Sequence, residues 1–146
     1  MGNNKELSEL QMSRLMDAAL TARKSAYAPY SGFRVGAALM FDNDEFVAGC
    51  NVENASYGLS ICAERNAMAA AVANGLVSPV AIAIAGKDGK PCPPCGACRQ
   101  VLAEFNPDIK VIMQHDGSFF VRSLRELLPM QFSMKQEGDN KNECKG

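Results

Sequence analysis

The chain has 146 residues, is 47% hydrophobic, and sets 15 basic residues against 16 acidic ones. This length suits one domain, which can bury roughly two thirds of its unfolded surface without disulfide staples. The near-zero charge argues against a large basic face for nucleic acid. No apolar run approaches the ~20 residues of a membrane span.

The first ten residues are polar and lack the apolar core of a signal peptide. The expected compartment is the cytoplasm, where thiols stay reduced. Leu7, Leu10, Leu15, Ala18, Ala19 and Ala22 recur at helical spacing, so Leu7 to Tyr27 reads as an amphipathic helix. Pro29, Ser31 and Gly32 end it. Val35 to Phe41 is a short apolar strand, Asp42-Asn43-Asp44 a turn, and Glu45 to Asn51 the second arm of a hairpin. Asn54 to Ser60 is a loop. Cys62 to Asn74 is alanine-rich and helical, with Gly75 as its C-terminal cap. Its run from Ala67 to Ala73 reads as helix packing.

Val80 to Ala85 is a strand, and Gly86 to Pro94 a loop with three prolines. Ala97 to Phe105 is a helix. Lys110 to Met113 and Phe119 to Arg122 are strands around His115-Asp116-Gly117. Leu124 to Leu128 forms one last turn before Pro129, and from Lys135 onward the chain is polar and loose. A hairpin followed by alternating helices and strands indicates one α/β layered domain with a mixed sheet. That domain is expected over 1–146, with tails at about 1–6 and 135–146.

The six cysteines, at 50, 62, 92, 95, 98 and 144, suggest metal binding or catalysis before disulfides. Cys95-Gly96-Ala97-Cys98 opens a helix and can aim two sulfurs at one metal, and Cys62 supplies a third. Three protein ligands leave a fourth position for water, the arrangement of a catalytic zinc. Both groups sit where helices start, and free N–H groups and the dipole there favour thiolate. Three thiolates around Zn²⁺ leave a net charge of −1, which makes bound water less acidic. A cation would compensate, and Arg65 is preferred over Arg99. Glu64 is placed to move a proton at the open position without ligating the metal.

A single C-x-x-C is weak. The whole pattern Cys62-Ala63-Glu64 … Pro94-Cys95-Gly96-Ala97-Cys98 resembles the zinc deaminase signature in its three-cysteine form. Further stretches match the cytidine deaminases, specifically the short-chain homotetrameric type. They are Ser25-Ala26-Tyr27-Ala28-Pro29-Tyr30-Ser31, Phe33 with Val35-Gly36-Ala37-Ala38, and Asn51-Val52-Glu53-Asn54-Ala55-Ser56-Tyr57. To these add Arg65, Arg99-Gln100 and Glu126-Leu127-Leu128-Pro129. The resemblance spans about residues 20 to 132. Asn66 departs from the threonine common after Glu-Arg, and Cys92 is unusual beside the site.

The resemblance implies a three-layer α/β/α sandwich around a five-stranded mixed sheet. It implies one zinc per chain and hydrolysis of cytidine and deoxycytidine to uridine and deoxyuridine, with release of ammonia, as in pyrimidine salvage. Glu64 would carry a proton from water to N3 of the base and then help protonate the leaving amine. Asn51 and Glu53 would bind the ribose hydroxyls, Phe33 would line the pocket, and the backbone of Ala63 would meet the pyrimidine carbonyl. Phe132 would reach a neighbouring subunit's site. Tyr30 and Tyr57 would lie near subunit interfaces, with Tyr57 counted among the substrate contacts. The partners implied are a small nucleoside and three further copies of the chain, with neither nucleic acid nor membrane.

Blander readings stand beside these. Cys92 could be an alternative ligand, but its two-proline link to Cys95 is stiff, so it is taken as a bystander. Cys50 reads as a buried small residue, Cys144 as a free thiol, and His115 as part of a surface turn. Phe33 could be a core aromatic, and Asn51 and Glu53 could merely end a strand. Competing functions are a deaminase of nucleotides, an aminopyrimidine antibiotic or polynucleotide cytosine, and a structural zinc module using Cys92 as fourth ligand.

Overall fold

The computed structural model describes residues 6–134. The expected loose tail from 135 and the free thiol at Cys144 fall outside them, as does most of the expected N-terminal tail. Helix α1 (Glu9–Arg23) begins at an N-cap, Ser8, in a reciprocal capping box with Gln11. It is shorter at both ends than the expected Leu7 to Tyr27, because Tyr27 instead bridges to Val52. Leu10, counted on its apolar stripe, is 61% exposed, and the buried stripe is Leu15, Met16 and Ala19.

Strands β1 (Gly36–Phe41) and β2 (Phe46–Cys50) form the expected hairpin, with Asp44 at φ 64° in its turn. A 3-10 turn at Tyr57–Leu59 lies in the expected loop. Helix α2 (Ala63–Ala73) leads through Gly75, at φ 79°, to β3 (Pro79–Ala85). Helix α3 (Gly96–Phe105) leads to β4 (Lys110–His115). A tight turn with Asp116 at φ 47° and Gly117 at φ 83° joins β4 to β5 (Ser118–Ser123). Both central residues being left-handed is what a type I′ hairpin needs. Helix α4 (Leu124–Leu127) is a single turn.

The sheet order is β2-β1-β3-β4-β5. Only β3 and β4 pair in parallel; the other neighbours are antiparallel. A mixed five-stranded sheet with helices on both faces is therefore the architecture. Alternation sorts the side chains. Ala38, Met40, Ala81, Ala83 and Ala85 meet α1 on one face. Ala37, Leu39, Phe41, Ile82 and Ile84 meet α2 and α3 on the other. Each fully buried Leu or Ile contributes roughly 1.5–3 kcal/mol of transfer free energy.

Two glycines let helices approach the sheet closely. A Cβ at Gly36 would lie 1.9 Å from the Ala19 carbonyl oxygen in α1. A Cβ at Gly49 would lie 2.5 Å from the Ala67 nitrogen and 2.9 Å from the Ala63 oxygen in α2. Gly49 thus sets how near the start of α2 sits to the sheet.

Candidate active site

Cys62 is the N-cap of α2 and Cys95 the N-cap of α3, with Cys98 in the first turn of α3. The two helices lie side by side on one face of the sheet, so their N-termini bring three sulfurs together. Cys62 Sγ is 3.7 Å from Cys95 Sγ, and Cys95 Sγ is 3.3 Å from Cys98 Sγ. All three lie within 4.8 Å of one another. Tetrahedral zinc with Zn–S bonds of about 2.3 Å requires sulfurs roughly 3.8 Å apart. The spacing fits that ion. Among the described residues no other group of metal-ligating side chains is so close, and Cys92 is not in it. Among the described residues a closed four-sulfur structural site therefore lacks its fourth ligand.

The electrostatics point the same way. Burial pushes the Cys62 thiol above its ordinary value, against the pull of Arg65. Burial and the charge of Glu64 push Cys98 far up. Burial opposes ionisation at Cys95 too, but hydrogen bonds from Cys98 and Cys62 outweigh it and hold that thiol below the usual value. The backbone N–H of Cys98 donates to Cys95 Sγ at 3.4 Å. Several like charges at one point are costly, and a divalent cation removes the conflict.

Glu64 is 4% exposed, the one buried charged residue among those described. Burial lifts its carboxyl above the ordinary range, offset in part by its own backbone N–H, Cys98 and Arg65. A carboxyl raised in this way holds a proton more readily than an exposed one, as proton transfer requires. Arg65 sits three residues after Cys62, on the same helical face, and its terminal nitrogen donates to Cys62 Sγ at 3.7 Å. Its Nε is buried and has no hydrogen-bond partner. Arg99, the other candidate cation, turns elsewhere: Nε donates to the Pro94 carbonyl at 2.8 Å and a terminal nitrogen to the Leu127 carbonyl at 2.6 Å.

Asn51 and Glu53 organise the segment before β1. The Asn51 side-chain oxygen accepts from Val35 N–H at 2.8 Å, and its amide donates to the Phe33 carbonyl at 2.9 Å. Glu53 accepts from the N–H groups of Tyr30 and Ser31 and from the Ser31 hydroxyl at 3.0, 3.1 and 2.5 Å. The Ser31 bonds hold its carboxyl below the ordinary value. Each side chain keeps spare capacity, one N–H on the amide and a lone pair on the carboxylate.

Phe33 is half exposed rather than a core aromatic. A Cβ at Gly86 would lie 3.1 Å from Phe33 Cζ and 2.8 Å from Cys92 Sγ, so ring and sulfur flank the end of β3. Cys92 is half-buried, and burial with the charges of Glu64 and Cys62 pushes its thiol up to about 11. Ala63 is fully buried at the first position of α2, where backbone N–H groups have no helical partner. Tyr57 is 77% exposed and meets Tyr30 edge-on with ring centroids 6.1 Å apart. Phe132 is 71% exposed, and its carbonyl accepts from Gln100 at 2.9 Å. His115 is the last residue of β4, paired with Ser118 beside the Asp116-Gly117 turn, 3.6 Å from Asp116 and with a 62% exposed side chain. Cys50 is half-buried and its carbonyl accepts from the Asn66 side chain.

The roles of Ser31, Gln100 and the carbonyl-bound Arg99 were not legible in the sequence. Gly86, directly after an apolar strand and before the proline loop, was the one local signal of close packing there.

Residues 10–114 match the family model described as "Cytidine and deoxycytidylate deaminase zinc-binding region". The chain is 46% identical over 127 residues to the cytidine deaminase of Halalkalibacterium halodurans, covering 86% of this chain and 96% of that one. It is 42% identical over 146 residues to a probable cytidine deaminase of Dictyostelium discoideum, covering 95% and 98%. The crystal structure of cytidine deaminase from Burkholderia pseudomallei superposes with a TM-score of 0.79 at 45% identity, over 86% of this chain and all of that one.

Proposed function

The chain belongs to the cytidine and deoxycytidylate deaminase family, and from that premise we propose that it hydrolyses cytidine and deoxycytidine to uridine and deoxyuridine, releasing ammonia. The observation that carries this reading is a buried carboxyl, Glu64, beside a three-sulfur cluster of zinc dimensions. Cys62, Cys95 and Cys98 hold the metal, which supplies an acidified water when bound. Glu64 would take one proton from the attacking water and deliver it to N3 of the pyrimidine as the oxygen bonds to C4. The carboxylate then takes the proton of the new C4 hydroxyl and passes it to the amino group, so that the C4 carbonyl forms as the C–N bond breaks and ammonia leaves. Arg65 offsets the thiolate charge. Its reach to Cys62 Sγ supports that role.

Phe33 lines the nucleoside pocket, and the Ala63 N–H meets the pyrimidine carbonyl. Asn51 and Glu53 use their spare amide hydrogen and carboxylate lone pair on the ribose hydroxyls while bracing the segment that carries Phe33. Their bonds to residues 30–35 support the bracing half of that task. The substrate is a free nucleoside, and the chain carries a single deaminase domain.

The active protein is a homotetramer with shared active sites. Supporting this, Tyr27, Tyr30, Tyr57, Leu59 and Phe132 are all exposed on the isolated chain. Tyr57 and Phe132 then contact substrate across the interfaces. Among the described residues no helix is long and apolar enough to cross a membrane, and the reaction is placed in the cytoplasm, where thiols stay reduced.

The test is to incubate the purified zinc-loaded protein with cytidine, deoxycytidine, their 5′-monophosphates and single-stranded DNA, following ultraviolet absorbance and ammonia. Turnover of the two nucleosides is expected. Preference for a monophosphate or for DNA would overturn the substrate assignment. Mixing Glu64→Gln chains with Phe132→Ala chains tests the sharing. Activity above either parent is expected, and none would overturn it.

A further inference from the structure

Cys95 is exposed on the surface of the protein, so packing does little to fix it. It is held as the N-cap of α3, where its carbonyl accepts from Arg99 N–H at 3.0 Å and its Sγ from Cys98 N–H at 3.4 Å, and by the peptide that precedes it. The Pro94 carbonyl, one bond before Cys95, accepts from Arg99 Nε at 2.8 Å. The same guanidinium donates to the Leu127 carbonyl at 2.6 Å. Leu127 ends α4, where carbonyls lack helical partners and a basic side chain can cap them. α4 is itself anchored, since Leu124 is fully buried and its N–H donates to the Ile109 carbonyl at 2.9 Å. A continuous strut therefore runs from the core through α4 and Arg99 to the peptide that aims Cys95.

We propose that Arg99 is a positioning residue for the metal, a two-pronged strut between α4 and the Pro94 carbonyl that keeps Cys95 Sγ in the ligand cluster and so sets how long the protein retains zinc. This rests on Cys95 being a zinc ligand, as proposed above. Arg99 differs in kind from Arg65, which acts on the sulfurs through its charge. The strut needs the planar fork, because a lysine ammonium is a compact point charge that does not present two fixed donors to separated carbonyls. Without the strut, the Pro94 carbonyl loses its side-chain partner, and the peptide that leads into Cys95 is left to the packing of Pro94 and the first turn of α3. Ligand-orienting partners of this kind typically change metal affinity 10- to 100-fold.

The experiment measures zinc release from the purified holoprotein into excess chromogenic chelator, well below the unfolding temperature. Wild type, Arg99→Ala, Arg99→Lys and Gln100→Ala are compared, with zinc content and thermal midpoint recorded for each. Arg99→Ala is expected to release zinc at least about tenfold faster than wild type. Arg99→Lys should also release it faster, because charge without the fork does not restore the strut. Gln100→Ala cuts the neighbouring tie to Phe132 and should release zinc at the wild-type rate. Equal rates for wild type and both Arg99 variants would overturn the inference. If Arg99→Ala does not fold, Arg99→Lys decides: faster release supports the strut, and wild-type release overturns it. The ligand assignment fails separately, if Cys95→Ser retains zinc as wild type does.

Discussion

Gly49→Ala adds one methyl group where β2 meets α2. The new Cβ would lie 2.5 Å from the Ala67 nitrogen, 2.9 Å from its Cα and 2.9 Å from the Ala63 oxygen, against an ordinary contact of 3.4 Å or more. All three are backbone atoms, so no side chain can turn aside. The helix must retreat by about 1 Å to restore normal contact. All three contacts lie in the first turn and a half of α2, so the retreat falls on the end that carries Cys62. Metal–ligand distances tolerate only about 0.2 Å of error. The substitution therefore costs about 1–3 kcal/mol of stability through overpacking and separately weakens zinc binding. The assay is zinc per chain after dialysis against a mild chelator, together with a urea unfolding curve. Gly58→Ala is the control, since a Cβ there meets nothing within 4 Å. If Gly49→Ala keeps full zinc and the wild-type urea midpoint, the close seating of α2 does not position Cys62 and the reasoning fails.

Three further outcomes follow from the same geometry. Cys92→Ser should keep one zinc per chain, because Cys92 lies outside the sulfur cluster; loss of metal by elemental analysis would make it a ligand. Arg65→Ala should lower kcat/KM about 10- to 100-fold and move the basic-form limb of the pH–rate profile to higher pH, since uncompensated thiolate charge makes the water less acidic. An unmoved profile would contradict the charge role. Arg125, through its hydrogen bonds, holds the Asp108 carboxyl below its ordinary value. That stabilisation is present above the unfolded pKa of roughly 4 and is lost as pH falls through the lower folded value. Asp108→Asn should therefore cost about 0.2–1 kcal/mol at pH 7 and nothing at a pH where Asp108 is protonated in both the folded and the unfolded state. Urea midpoints that differ equally at both pH values would refute the pairing.

Local chemistry made much of the fold legible. Asp116-Gly117, Gly75 and the run after Cys62 announce their turns and helix through backbone preferences acting over a few residues. β3 was legible as an apolar run, yet its two faces were not. Ala81, Ala83 and Ala85 meet α1, whereas Ile82 and Ile84 meet α2 and α3, and composition alone does not say which helix covers which face. The three sulfurs and Glu64 could be singled out because two helix starts carry them in short motifs. The bracing by Asn51 and Glu53 could not, because it spans 16 to 23 residues to backbone groups with no sequence signature. Arg65 is preferred over Arg99 in the sequence, though each directly follows a site residue and adjacency gives no geometric ground for the choice. Three dimensions supply that ground: the Arg65 guanidinium faces a sulfur and the Arg99 guanidinium faces two carbonyls.

The central claim is that Glu64 moves protons beside a metal it does not hold. Glu64→Gln keeps the shape of the side chain and removes that capacity. Zinc content and cytidine turnover should be measured on the same preparation. The account predicts one zinc per chain and turnover reduced by at least roughly 10²–10⁴-fold. Near wild-type turnover, or loss of the zinc together with the activity, would contradict it.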